Sequence, residues 1–325
     1  MAITLKELRL DEVHVGRDGW LFLQTGSNQV LRLYTDATSY PDALDTSWHQ
    51  ILLDRTARLA ALGIAYRHIV APDKLSVFPE FTSLDLPQFD RAPLRRLADP
   101  ARPGGISKSL IDPTFALNHG NAELQSYFKT DSHWTIWGAY QAYRLTCVSL
   151  GVPIIDFMAR GIGRCPACFD LGSKLNPQVL EDHMFWPPSD NITRAYANAL
   201  VIGREQSEKH GGPSPGQHGT HVILRNSASD AIPKRLVLFG DSFCDYRPSS
   251  LTYLFAETFQ EVHFIWSTDV DIDYARRVGA DIVVSEIAER FMTRLPTDTL
   301  SVERNTSDLM RSFNEQTTRA RANLG

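Results

Sequence analysis

Apolar and polar positions alternate along this chain in two registers, and the changes of register outline its elements. Residues 13–23 (Val-His-Val-Gly-Arg-Asp-Gly-Trp-Leu-Phe-Leu) are two short apolar runs around Arg17-Asp18-Gly19. An Asp-Gly pair between apolar runs predicts a strand, a tight turn and a second strand. Residues 42–62 place Leu44, Trp48, Leu52, Leu59 and Leu62 at helical spacing, with Gly63 as the stop. Residues 66–71 then read as a short buried strand running into Pro72-Asp73-Lys74. A helix feeding a strand points to βαβ units and a mostly parallel sheet.

Residues 81–104, rich in Pro, Asp and Arg, are expected to be an irregular surface segment. Residues 135–150 predict a helix with Ile136, Ala139, Tyr140, Tyr143 and Cys147 on one face. Residues 159–220 are weakly periodic, and 209–220 (Lys-His-Gly-Gly-Pro-Ser-Pro-Gly-Gln-His-Gly-Thr) reads as a loop. Strands are then predicted at 221–225, 235–239, 262–266 and 281–285, with helices at 249–260 and 273–279. That alternation is the pattern of a doubly wound, three-layer α/β domain. Residues 307–323 read as a polar amphipathic helix or a frayed end. The expected organisation is one α/β domain over 1–300, with insertions near 81–130 and 159–220, and a helix or tail over 301–325.

Composition narrows the classes. The chain has 325 residues, 43% hydrophobic and 22% charged, which excludes a disordered or fibrous protein. Its 33 basic and 38 acidic residues give a net charge of −5, a poor match to nucleic acid. No window reaches the roughly 18 apolar residues that a membrane span needs. Charges interrupt residues 1–12 every few positions, so no signal peptide is read there. The expected location is cytoplasmic as written, or periplasmic if a leader was removed. Of four cysteines, Cys165 and Cys168 have CxxC spacing. A zinc site needs four ligands and no second pair follows, so a local disulfide or redox pair and an incidental loop pair stand beside it. Neither a cofactor nor a metal is expected.

Two segments carry candidate chemistry. In Leu236-Val237-Leu238-Phe239-Gly240-Asp241-Ser242-Phe243, an apolar strand ends in Gly-Asp-Ser. Ligands of open α/β sheets bind beyond the carboxyl ends of strands. Gly240 permits a sharp turn there, which would lift Ser242 above the sheet edge, and backbone N–H groups could face an oxyanion. A plain turn would use the same residues. A serine nucleophile needs a base, and the base needs an orienting group. Tyr127-Phe128-Lys129-Thr130-Asp131-Ser132-His133-Trp134-Thr135 supplies both. In an extended segment Asp131 and His133, two apart, share one side. The alternative is that Thr130, Asp131 or Ser132 caps the following helix.

Together these motifs resemble the alginate O-acetyltransferase group of the SGNH hydrolase superfamily (AlgJ and the catalytic domain of AlgX). Gly-Asp-Ser is similar to the first block of that superfamily. An Asp-x-His-Trp motif ahead of the serine, here by 109 residues (242 − 133), resembles this group. Gly16-Arg17-Asp18-Gly19-Trp20-Leu21-Phe22, Pro72-Asp73-Lys74 with Val77-Phe78-Pro79-Glu80, Gly138-Ala139 and Asp170-Leu171-Gly172 fit in the same order. The resemblance spans about residues 13–295. It implies an SGNH-like three-layer sandwich, with Ser242 as nucleophile, His133 as base and Asp131 as orienter. Asp241 would fix the turn. It further implies O-acetylation of secreted polysaccharides, with a carbohydrate acceptor and a membrane-bound O-acyltransferase as acetyl donor.

Further candidates keep two readings each. Trp134 could stack on sugar or pack behind the base. Lys74 could face the cleft or be solvated. Tyr246 and Arg247 could touch substrate. Trp20, Trp48, Trp137 and Trp266 are expected in the core, and Arg290 in a salt bridge with Glu286 or Glu289. The expected activity is carbohydrate O-acetylation through a Ser242 acyl-enzyme. An SGNH-type acetylesterase and a non-catalytic polysaccharide-binding protein are the alternatives.

Overall fold

Leu236, Val237, Leu238 and Phe239 are all fully buried, as are Val283 and Val284. Near-continuous apolar runs of this kind suit parallel strands covered on both faces. A computed structural model describes residues 12–101, 105–119 and 124–322. The leader reading of residues 1–11 lies outside the described residues. The chain gathers into two compact units that interleave along the sequence. One takes in residues up to 56, then 67–187 and 287–295; the other takes in 57–66, 188–286 and 296 onward.

In the first unit, β1 (Val13–Val15) and β2 (Leu21–Leu23) pair antiparallel, with Val13 opposite Leu23. Asp18 and Gly19 turn the chain at φ +53° and +80°, conformations that Gly, and Asp among the others, tolerate. The helix Asp42–Ala61 buries Trp48 and Leu52. The short β4 (Leu110–Ile111) runs parallel to β3 (Ala65–Ala71). The helix Ile136–Leu150 follows, and β5 (Gly163–Cys168) pairs antiparallel with β6 (Leu180–Phe185).

The second unit holds β7 (Ile192–Ala197), β8 (His221–Asn226), β9 (Ile232–Gly240) and β10 (Phe259–Trp266), and most of β11 (Ile282–Ala288). β10 and β11 both run parallel to β9, whereas β8 is antiparallel to β10 and β7 to β8. Within the second unit the strand order is β11-β9-β10-β8-β7. This is the mostly parallel α/β architecture that the alternation of elements predicts. The final helix, Val302–Ala322, is docked and not frayed at its start. Its first turns are tied by Val302 N–H to Asp271 Oδ2 at 3.0 Å, Arg277 to Glu303 at 3.0 Å and Asn198 Nδ2 to Thr306 Oγ1 at 3.1 Å.

The region 159–220 departs from its loop-like expectation: it contains β5, β6, β7 and the helix Ala199–His210. The strands β5 and β7 are exposed along most of their length, so they lack the alternation that betrays a half-buried strand. Among its described residues, the irregular segment 81–104 includes the short helix Pro93–Leu97, which buries Leu94 and Leu97. Among the described residues no helix is long and apolar enough to cross a membrane.

Candidate active site

The segment ahead of the helix Ile136–Leu150 is bent, not extended. Asp131 Oδ1 accepts from the backbone N–H of His133 at 2.9 Å and contacts its ring nitrogen Nδ1 at 2.6 Å. One carboxylate oxygen thus fixes both the turn and the imidazole. The expected pairing forms, but through an aspartate turn and not through strand alternation. The helix cap is Thr135, whose Oγ1 accepts from Gly138 N at 3.2 Å. With that role filled, Asp131 is spent on His133. Gly138 has its own reason: a Cβ would lie 2.1 Å from the Ser126 carbonyl oxygen.

Burial works against charge on His133, but Asp131 outweighs it, so the imidazole pKa is raised above 6.5. For Asp131, burial also opposes the charge; the His133 contacts overcome it and hold the carboxyl low. Arg290 acts against the imidazolium, and Asp170 favours it.

Asp170 lies in the Asp-Leu-Gly motif, and no chemical role was read for it in the sequence. The residue is exposed, yet both its carboxylate oxygens are engaged by Ser132: Oδ1 by the N–H at 2.8 Å and Oδ2 by the hydroxyl at 2.5 Å. Desolvation and then the Asp131 charge push its carboxyl up. Glu181, on β6, accepts from Lys129 N at 2.9 Å and from Thr130 N and Oγ1, each at 2.8 Å. Atoms of Asp131, His133 and Asp170 lie within 4.8 Å of one another, a spacing that a cation could bridge. Those atoms are committed to each other and to Ser132, so we read a proton-holding cluster and not a ligand set.

Lys74 is not solvated, and it lines a small cavity with Asp73, Ser132 and Arg290. It is buried, and Nζ donates to Leu21 O at 2.8 Å and Lys129 O at 3.0 Å. Desolvation brings its pKa down to about 7. The lysine ties the 13–23 hairpin to the Asp-His segment. Trp134 is buried and paired through its backbone with Tyr127, which favours packing over sugar stacking.

In the second unit, β9 ends at Gly240 and the chain turns through Asp241 and Ser242. A Cβ on Gly240 would lie 2.7 Å from Cys244 Sγ and 2.9 Å from Glu286 Oε2. Close packing therefore demands glycine here. Asp241 Oδ1 accepts from Phe243 N at 3.0 Å, and its own N–H donates to Glu286 Oε2 at 3.0 Å. Asp241 thus braces the turn, as its place beside the serine suggests. Ser242 is half-buried. Downstream, Asp245 and Ser249 have φ of +46° and +64°, strained backbone of the kind that collects at functional sites. Tyr246 is buried, and exposed Arg247 is bound by Glu208.

Arg290 binds Asp73 Oδ1 at 2.9 Å, not Glu286 or Glu289. Glu289 is already engaged by Tyr34, Ser76 and the N–H groups of Asp73 and Leu94. Glu286 is engaged by the Asp241 turn. Trp20 and Trp48 are buried, and Trp137 and Trp266 are half-buried. Cys165 and Cys168 are free, exposed thiols; three residues apart on β5, they leave opposite faces of the strand.

Residues 13–150 match the family model of the SGNH hydrolase-like domain of the acetyltransferase AlgX, a stretch that includes Asp131 and His133. Comparison with curated proteins gives no match. Among solved structures, Bacillus cereus PatB1 is similar over 87% of this chain and 97% of its own, at 15% identity and a TM-score of 0.57. The O-acetyltransferase domain of Pseudomonas putida AlgJ is similar over 92% and 99%, at 16% identity and 0.54. A DHHW family protein from Eubacterium siraeum is similar over 90% and 93%, at 14% identity and 0.52. These likenesses concern the fold. The sequence likeness to the acetyltransferase domain of AlgX thus covers residues 13–150, the stretch that holds Asp131 and His133.

Proposed function

We propose that the protein is a serine-dependent O-acetyltransferase that moves acetyl to a carbohydrate hydroxyl through Ser242. The observation that carries this reading is the Asp131–His133 hydrogen bond at 2.6 Å, lying within the stretch matched to an acetyltransferase family. The Gly-Asp-Ser turn at the end of β9 supports Ser242 as its nucleophile. His133 takes the Ser242 hydroxyl proton as Oγ attacks the acetyl carbonyl carbon. The oxyanion forms, the donor's leaving group departs with the proton, and acetyl-Ser242 remains. A sugar hydroxyl then attacks the ester and yields its proton to His133. Collapse releases the acetylated sugar and returns the proton to Ser242. Backbone N–H groups of the turn would stabilise the oxyanion, at about 3–4 kcal/mol per donor. Asp131 orients the ring and stabilises its charged form. A membrane-bound O-acyltransferase is the proposed donor.

The test is mass spectrometry of the protein after incubation with an activated acetyl ester, followed by product analysis with and without oligosaccharide acceptors. An acetyl group on Ser242 that passes to sugar is the expected result. Acetate alone across a broad glycan panel, with acetylated sugars deacetylated, would establish an acetylesterase instead. No adduct and no turnover, with glycan binding intact, would leave a binding protein.

A further inference from the structure

We propose that Asp170 is a positioning residue: its carboxylate clamps the backbone and hydroxyl of Ser132 and so holds Asp131 and His133 in the geometry that base catalysis needs. The inference rests on the acyl-transfer reading above. Ser132 is the residue between the two partners, so rotation of its peptide units would turn Asp131 away from the imidazole. The two bonds from Ser132 to one carboxylate, 2.8 Å from N–H and 2.5 Å from Oγ, fix its position and its orientation together.

The clamp is itself anchored. The N–H groups of Leu171 and Gly172, which follow Asp170, donate to Thr130 O at 3.1 and 2.9 Å. Gly172 allows this approach, because a Cβ there would meet Val179 O at 2.5 Å and Thr130 Cβ at 3.2 Å. Thr130 is pinned from its other side by Glu181. The segment that carries Asp131 and His133 is therefore gripped on both sides of Asp131, at Thr130 and at Ser132, by two carboxylates from elsewhere in the chain.

Charge gives the clamp a second effect. The charged groups acting on the His133 ring are Asp131, Asp170 and Arg290; buried Lys74 stands near the same carboxylates. Asp131 and Asp170 favour the imidazolium, and Arg290 opposes it. Removing the Asp170 charge while keeping its shape should make the ring easier to deprotonate.

The experiment compares Asp170→Asn and Asp170→Ala with the unmodified protein. NMR titration of the His133 ring is expected to show a lower midpoint in Asp170→Asn, and the acid limb of kcat/KM on an aryl acetate should move the same way. Asp170→Ala, which loses the clamp, should lose about a hundredfold in kcat with KM nearly unchanged, the scale expected of a 1 Å misplacement. A merely structural residue would lower the melting temperature without moving the ring's titration. An unmoved His133 midpoint in Asp170→Asn, or full kcat in Asp170→Ala, would overturn the proposal. If Asp170→Ala does not fold, the Asp170→Asn titration decides alone. That titration needs no turnover, so it judges Asp170 even if full activity in His133→Ala were to overturn the acyl-transfer reading.

Discussion

Each unit of this protein holds a buried acid against a close partner, and the pKa values of the two acids move in opposite directions. In the first unit, Asp131 faces the His133 imidazole, and that contact keeps its carboxyl below the usual range despite burial. In the second, Glu286 meets a backbone N–H from Asp241 and the Cys244 thiol. Desolvation, reinforced by the Asp241 carboxyl, pushes Glu286 well above its ordinary value. Burial alone therefore does not decide whether an acid is charged. A proton-accepting partner at hydrogen-bond distance keeps Asp131 ionised and able to orient a base. A backbone amide and a thiol leave desolvation to dominate at Glu286, so its proton is held more tightly, under the turn that carries Ser242.

That contrast is broken most severely by truncating one acid from each pair. Asp131→Ala and His133→Ala should each lower kcat/KM on an aryl acetate by about a thousandfold or more, with effects far from additive. Asp241→Ala should instead lower the melting temperature, since it removes the brace on Phe243 N–H. Parallel kinetics and thermal melts of the three variants check this. If Asp131→Ala kept full activity while Asp241→Ala lost it at an unchanged melting temperature, the acids would have to exchange roles.

A milder change tests the state of Glu286. Its folded pKa is raised above the 4.5 of an ordinary glutamate. Below that value both folded and unfolded chains are protonated, and the group makes no net difference. As pH rises past it, the unfolded chain ionises while the folded one holds its proton, so the group costs stability. Glu286→Gln keeps the shape and an acceptor for Asp241 N–H but cannot ionise. Measured by melts from acid to neutral pH, the variant should gain on the unmodified protein as pH rises. A variant that instead loses ground towards neutral pH would show Glu286 to be charged in the fold.

Much of this was legible before any coordinates. The helix at 42–62 and the strands at 66–71, 235–239, 262–266 and 281–285 appear within a few residues of their predicted bounds, because burial of one stripe or of both faces imposes a period. Asp131, His133 and Ser242 were singled out by residue type and spacing. What stayed hidden has physical reasons. β5 and β7 lie exposed, so nothing in their residues alternates. Asp170 reaches Ser132 across 38 positions, which no local period records. Arg290 passes over the adjacent Glu289 for Asp73, a choice that depends on Glu289 being filled by Tyr34, Ser76 and two backbone amides. Lys74 read as facing the cleft or solvated, and the carbonyls that hold it, of Leu21 and Lys129, lie 53 and 55 positions away.

The smallest effect sharpens the comparison by separating a buried thiol from exposed ones. Cys244 belongs to the Glu286 cluster, its Sγ 3.3 Å from Oε2, and its pKa is driven well above 9.0 by desolvation. Cys165 and Cys168 sit on β5, whose partner β6 places His183 opposite Cys165 and Leu180 opposite Cys168. Both thiols are exposed and unbonded. Their side chains leave opposite faces of the strand, which is unsuited to chelating one ion or closing a disulfide without distorting β5. The hairpin does contribute Glu181, but that carboxylate grips Lys129 and Thr130 through β6 and not through either cysteine. Replacing both Cys165 and Cys168 by Ser should therefore leave kcat/KM and the melting temperature near the unmodified values, with or without reductant. Activity assays under oxidising and reducing conditions, with metal analysis of the purified protein, provide the check. Loss of activity in the double variant, or one equivalent of bound metal that the variant releases, would give the cysteine pair a role that its geometry on β5 does not support.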